Sequence, residues 1–407
     1  MTIHIHHFQS LQAKTGSVTQ NQGEKVRTTT CKEKQKGVVP IESIPLTSQP
    51  TMSSSTAPTP QPQTPTQRQQ SLTSLIRSLR PSSFPSSHSP PRRPLSLPGG
   101  LSTHLTQLLG PNALHQTLWS ASLLRTHPEA IQTAHEHYFD AGAELATTNT
   151  YQAAPRGLVE AWGISESEAE GLVKRGVEIA RAAAASDTNQ PTKPRYIVGS
   201  IGPYGAYLAD GSEYTGAYSA HTFHAEFKSF HRPRVRALAA AGVDGFACET
   251  MPCLSEIAAL LDVLREEAPG APVWVSVSLD ASGSKMAEGT ELTELCALLR
   301  GYGDVVAVGV NCVPREVVTG AVRRMRVCME GWGQEERKTL VVYPNSGEEW
   351  DAVAKEWRVG RATARNVEDW MEEWVGEGVG MLGGCCRVEP EETGRMRAWV
   401  DGKFGTG

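Results

Sequence analysis

From Leu95 onward, short apolar runs rich in β-branched residues alternate with longer segments whose apolar positions recur every three or four residues. Strands separated by helical crossovers give this texture, and the connections are long enough for parallel pairing. The strand-like runs are 95–97, "AELATTN" 143–149, "YIVGSIG" 196–202, "GFACET" 245–250, "VWVSVS" 273–278, "AVGVNC" 307–312, "LVVYPN" 340–345 and "GMLGGC" 380–385. Between them lie helices such as 165–185, which opens with the capping box Ser165-x-x-Glu168 and carries Ala169, Leu172, Val173 and Ala180 on one face. A second is 253–266, striped by Leu254, Ile257, Ala258, Leu261 and Leu264. Eight such strands predict an α/β fold of the (β/α)8 TIM-type barrel over residues 95–407, ahead of an open sheet of seven. No G-x-G-x-x-G or G-x-x-x-x-G-K-[ST] opens a helix, which argues against a dinucleotide or P-loop site.

Residues 1–94 read differently. Ser, Thr, Pro and Gln dominate, and such a composition buries too little apolar surface to offset the entropy of ordering, so a disordered extension is expected. One island interrupts it: Leu72, Leu75, Ile76 and Leu79 have helical spacing, with Arg77 and Arg80 beside them, the pattern of a targeting or docking helix. The "HIHH" at 4–7 sits in a segment with no preorganised cage for a metal.

Charge sharpens the division. The first 94 residues hold 11 Lys or Arg against 3 acids, about +8, leaving about −13 for the remainder of a chain whose net charge is −5. The whole-chain charge of −5 gives no global reason to expect nucleic acid or an anionic membrane as partner. No apolar run is long enough to span a bilayer, and "MTIHIHHFQSLQAKTG" lacks the apolar centre of a secretory signal, so a cytoplasmic, reducing location is expected. There, eight irregularly spaced cysteines are free, metal-bound or catalytic rather than a disulfide framework.

In a barrel of this kind the chemistry lies on the loops after the strands, and the unusual residues fall there: "TTNTYQ", "CETMP", "NC", "YPNSG" and "GGCC". Cys312 after the sixth strand and Cys385 and Cys386 after the eighth would share one rim. Three thiolates with one open position describe a catalytic Zn2+ site, and soft sulfur argues against Mg2+ or Ca2+. Adjacent residues on a strand face opposite ways, so the pair can share an ion only where the backbone bends, a freedom expected of Gly383 and Gly384. Ordinary packing cysteines, or a redox-active adjacent pair, are the competing readings. Glu249 ends an apolar strand, where its carboxylate needs either a ligand ammonium group or a structural Arg or Lys partner. Asn149 and Asn345 are candidate neutral hydrogen-bonding groups, and His135 and His137 fit a solvated helical face.

Taken together, "LWSASLL" 118–124, "AGAELATTNTYQA" 141–153, "GSIGPYGAYLADGSEYTG" 199–216, "ETMP" 249–252, "VGVNC" 308–312, "YPNSGEEWD" 343–351 and "GGCC" 383–386 resemble, in order, the homocysteine S-methyltransferases. The resemblance implies a zinc-containing barrel with Cys312, Cys385 and Cys386 as ligands, Glu249 holding the amino group of L-homocysteine, and Thr148, Asn149 and Tyr151 in the substrate pocket. It also implies a sulfonium methyl donor, S-methylmethionine or S-adenosylmethionine, and methionine as product; nothing in the sequence sets the oligomeric state. One departure stands out: in "LSLPGGLST", Pro98 occupies the place of the family's usual Asp and Ser102 that of a common Gly. The loss of that acid shifts ammonium binding towards Glu249. It raises three explanations: a weakened or altered enzyme, a non-catalytic zinc-binding barrel with a regulatory or interaction role, or a misassigned amino terminus in which disordered sequence replaces the true first strand.

Overall fold

Eight strands lie side by side in one all-parallel sheet: β1 (Leu95–Ser96), β2 (Leu145–Thr147), β3 (Tyr196–Ile201), β4 (Gly245–Met251), β5 (Val273–Val277), β6 (Val305–Asn311), β7 (Thr339–Tyr343) and β10 (Val379–Leu382). A short antiparallel hairpin, β8 (Glu349–Asp351) and β9 (Glu356–Arg358), stands apart from them. The computed structural model describes residues 63–80, 91–110, 112–114, 118–186, 195–351, 356–358 and 365–406. Sheet order is β1-β10-β7-β6-β5-β4-β3-β2. The ring closes between β1 and β2, where Glu144 N–H donates to Ser96 O over 2.8 Å and the Glu144 carboxylate accepts Ser96 N–H over 2.9 Å. This is a (β/α)8 barrel, and each expected strand is present within a few residues of its predicted place.

Local chemistry explains the crossovers. The helix Glu166–Ala185 starts at Ser165 with both arms of its capping box formed. The helix Leu254–Glu267 buries Ile257, Leu261 and Leu264 as its spacing predicts, but it also buries Glu256 completely, which periodicity alone does not anticipate.

Two expectations are corrected. Within the extension, Pro65–Ser78 is not unstructured: it is a helix, α1, begun by a Thr64–Gln67 capping box with Pro65 in its first turn. Leu72 and Ile76 are fully buried, in one apolar cluster with Leu95, Leu145, Tyr196, Trp274, Val306 and Met381 of the barrel strands. Polar contacts pin the same face. Thr339 Oγ1 donates to Ile76 O over 2.7 Å, Ser71 and Tyr196 hydroxyls lie 2.8 Å apart, and Arg68 meets the buried Asp244 at 2.8 Å. Tyr196 and Thr339 begin their strands, and Asp244 immediately precedes β4, so α1 covers the amino-terminal end of the barrel. The island folds because its apolar stripe meets an apolar surface, which composition averaged over a long window conceals. Residues 1–62, with "HIHH" and Cys31, lie outside the described residues.

The first strand, weakly marked in the sequence, is formed. Leu95 and Leu97 are almost wholly buried, and β1 pairs with β10 in register Leu95–Met381. His135, expected on a solvated face, is buried on the helix Pro128–Asp140, whereas His137 is exposed and lies 2.7 Å from His104. Among the described residues no helix is long and apolar enough to cross a membrane.

Candidate functional site

The carboxyl ends of β6 and β10 bring Cys312, Cys385 and Cys386 together, with their sulfur atoms all within 4.8 Å of one another. Cys312 and Cys386 Sγ are 3.6 Å apart. Two sulfurs bonded at about 2.3 Å to one tetrahedral ion lie about 3.8 Å apart, so the Cys312–Cys386 separation suits a soft divalent metal, with Cys385 near enough to join it. Cys312 is buried, Cys385 partly so, and Cys386 is exposed, giving one open side. The thiols share protons unequally. Hydrogen bonds from Cys312 and then Cys385 hold the Cys386 thiol well below its ordinary range, while the bond to Cys312 pushes Cys385 up.

Backbone geometry at this rim is unusual. Cys312 has φ +54 and Thr250, next to Glu249, has φ +58, and left-handed conformations of non-glycine residues cost on the order of 1 kcal/mol each and concentrate at functional sites. The side chain of Asn311 spans between the two strand ends, accepting Thr250 N–H at 2.7 Å and donating to Thr250 Oγ1 at 2.8 Å. Gly383 and Gly384 act otherwise than expected, since neither is left-handed. They are needed for space: a Cβ on Gly383 would meet Leu97 Cβ at 2.5 Å, and one on Gly384 would meet Val388 Cγ1 at 2.2 Å. The turn that aims the pair comes after it, where Val388 N–H donates to Cys385 O over 3.1 Å and Arg387 takes φ +65.

Glu249, at the end of β4, accepts a hydrogen bond from Ser200 Oγ, and burial pushes its carboxyl up to about 7 against the help of Ser200 and Tyr343. No Arg or Lys pairs with it among the described residues, so the structural ion pair considered for it is absent. Tyr151 lies beside this region, close to Thr250, and burial holds its hydroxyl un-ionised. Thr148 and Asn149 spend their polar groups on the fold: Thr148 Oγ1 accepts Ser200 N–H at 3.1 Å, and Asn149 Nδ2 donates to Ser120 O at 2.8 Å. Asn345 turns to the thiols, its Oδ1 accepting Cys386 N–H at 3.2 Å.

Residues 95–400 match the family model described as homocysteine S-methyltransferase. The chain belongs to the homocysteine S-methyltransferase family. The homocysteine S-methyltransferase of Escherichia coli (strain K12) is 42% identical over 306 residues, covering 75% of this chain and 94% of that protein. YbgG of Bacillus subtilis (strain 168), also named a homocysteine S-methyltransferase, is 38% identical over 75% of this chain and 93% of its own. The crystal structure of the E. coli homocysteine methyltransferase MmuM in its metallated form superposes with a TM-score of 0.65 at 38% identity, covering 75% of this chain and 96% of that one.

Several residues at this homocysteine S-methyltransferase site escape sequence reasoning because their role lies in contacts distant along the chain. Glu213 is one: burial pushes it up to about 7 despite its own backbone N–H, and its Oε2 is buried with no hydrogen-bond partner. Tyr214, the next residue, brings its hydroxyl to 3.4 Å from Cys312 Sγ. The loop after β3, which leads into this segment, is held by a buried network. Arg234 donates to Tyr151 O at 2.8 Å and Gly202 O at 2.6 Å, and Glu256 accepts Tyr204 N–H at 2.6 Å and pairs with His231 at 2.7 Å. The family's long block "GSIGPYGAYLADGSEYTG" marks this region, but spacing within it does not single out Glu213.

Proposed function

We propose that this protein transfers a methyl group from a sulfonium donor, S-methylmethionine or S-adenosylmethionine, to the sulfur of L-homocysteine, giving methionine, at a Zn2+ site formed by Cys312, Cys385 and Cys386. The observation that carries the reading is the convergence of three sulfurs from two strand ends, with a 3.6 Å separation between Cys312 and Cys386 that suits zinc. Zn2+, when bound, supplies a Lewis-acidic fourth position that lowers the pKa of an incoming thiol from its usual value near 8.5 towards neutrality.

The protein's own groups supply the rest. Asn345 fixes the backbone of Cys386, and the Asn311–Thr250 bridge ties the thiol rim to the strand end that carries Glu249. Glu249, with no cationic partner among the described residues, accepts the substrate ammonium, and Ser200 orients it. Tyr214 reaches the thiols through its hydroxyl and the buried Tyr151 lies beside Glu249's strand end, and a poorly solvated setting favours a reaction between thiolate and sulfonium in which opposite charges cancel. The homocysteine thiol gives up its proton to solvent and its sulfur forms the new S–CH3 bond; the donor's C–S+ bond breaks with its electron pair on the donor sulfur, which leaves as a neutral thioether. Free thiols at the site suit the reducing cytoplasm. The catalytic unit comprises residues 95–407 together with α1.

Zinc content and methyl transfer from S-methylmethionine to homocysteine, measured on the full chain and on Cys386→Ala, test this. The expected result is about one zinc per chain, lost with the turnover in the variant. A metal-free active wild type, or a variant that keeps zinc and rate, overturns the reading. Pro98 motivates the second reading, a barrel retaining zinc without catalysis; zinc with no turnover in the wild type supports it instead.

A further inference from the structure

We propose that Glu213 is the counter-charge for the methyl donor: its carboxylate faces the cationic sulfonium and sets the preference for the charged donor over the neutral thioether that it becomes. The inference rests on the methyl-transfer reading above and names the residue that selects the donor.

The position of Glu213 is tightly determined. It lies in the 3₁₀ turn Ser212–Tyr214, entered through Gly211 at φ +83. A Cβ on Gly205 would come within 2.5 Å of Glu213 N, so only glycine allows the turn to settle against that segment. Ser278 Oγ donates to Glu213 O over 3.0 Å, and the Asp210 carboxylate accepts Ser212 N–H over 2.9 Å. With the backbone clamped on both sides, the neighbouring Tyr214 hydroxyl reaches Cys312 Sγ at 3.4 Å, which lays the turn over the thiols. The Glu213 charge is felt by Tyr151, Cys312 and Cys386, the groups that line this part of the site.

Chemistry then selects the ligand. Glu213 Oε2 is shielded from solvent and has no hydrogen-bond donor, and no Arg, Lys or His pairs with the carboxylate among the described residues. Leaving a buried carboxylate oxygen unpaired is costly, so its natural complement is a cation brought by a ligand. Beside three thiolates, whose charge exceeds that of a divalent ion, an added carboxylate repels anions and attracts cations. The ammonium of homocysteine already has Glu249, with Ser200 orienting it. The donor brings two more cations, its own α-ammonium and the sulfonium, and only the sulfonium loses its charge when the methyl group leaves, so the comparison of S-methylmethionine with methionine, which share the ammonium, isolates it. A fixed carboxylate therefore favours binding of the donor and weakens its hold on the product of the same transfer.

The test uses the zinc-loaded full chain and its Glu213→Gln, Glu213→Asp and Glu249→Gln variants. Metal content, calorimetric binding of S-methylmethionine and of its neutral counterpart methionine without homocysteine, and initial rates varying each substrate are measured. Glu213→Gln is expected to keep its zinc and to leave the homocysteine KM within about twofold. It should raise the donor KM by roughly tenfold or more and bring the two binding constants together, as expected on removing one partner of a charge-assisted contact. Glu213→Asp restores part of the donor preference, and Glu249→Gln raises the homocysteine KM instead. An unchanged donor KM, a rise confined to homocysteine, or loss of zinc from Glu213→Gln overturns the proposal. A wild type that lacks turnover defeats the methyl-transfer reading. The binding arm still decides on Glu213, because a wild type that binds S-methylmethionine no more tightly than methionine removes its role.

Discussion

Replacing Leu72 by Ala tests whether α1 belongs to the barrel. Leu72 is fully buried at the amino-terminal end of the strands, close enough to β4 that a Cβ on Gly245 would sit 3.1 Å from Leu72 Cδ2. Truncating a leucine in such a place costs about 3 kcal/mol, from lost transfer free energy and the cavity left behind. With an unfolding entropy of about 2.1 cal/mol/K per residue over roughly 310 residues, that loss lowers the melting temperature by about 5 °C. Ser74 lies on the exposed face of the same helix, so Ser74→Ala is the control and should move the midpoint by less than about 1 °C. Differential scanning calorimetry of the zinc-loaded full chain reads both. If Leu72→Ala melts with the wild type, or if both variants shift equally, α1 does not pack on the barrel in solution and the extension is free up to the first strand.

Two further outcomes follow from the site and the core. Pro98→Asp places the acid that the family resemblance led us to expect at this position, and it should lower the homocysteine KM about tenfold with zinc content unchanged, the gain expected of one charged hydrogen bond; an unchanged KM in steady-state assays would show that Glu249 suffices. His135 is buried with Nε2 unpartnered, and desolvation pushes its pKa down to about 4, so the native state keeps it neutral where the unfolded chain protonates near 6.5. Stability is therefore intact above about pH 6.5 and is lost as pH falls towards 4, by about 3 kcal/mol from this residue. His135→Leu should flatten that part of the profile in urea titrations across the window, and parallel profiles for variant and wild type would contradict the assignment.

The strands were legible because their signal is local. β-branched runs such as "VWVSVS" bury both faces in a parallel sheet and read the same in any context, as does the Ser165–Glu168 cap. The positions of Cys312, Cys385 and Cys386 at strand ends were likewise readable, because a barrel sends every strand's carboxyl end to one rim. Their separation was not: 3.6 Å between sulfurs 74 residues apart depends on how β6, β7 and β10 stagger and on Asn345 and the 385–388 turn.

Tertiary contact alone decided the remainder. Leu72 and Ile76 carry a weak helical stripe that becomes a folded element only against the barrel's apolar end, and His135 and Glu256 leave solvent because distant segments close over them. Glu213 is one acid among 44 in the sequence, and nothing in its neighbours marks an oxygen that is buried and unpaired. The physical reason is common to all of them. Backbone periodicity records which face of an element is apolar, whereas the cost or use of a polar group depends on the dielectric and partners around it, and these are assembled from residues far apart in the chain.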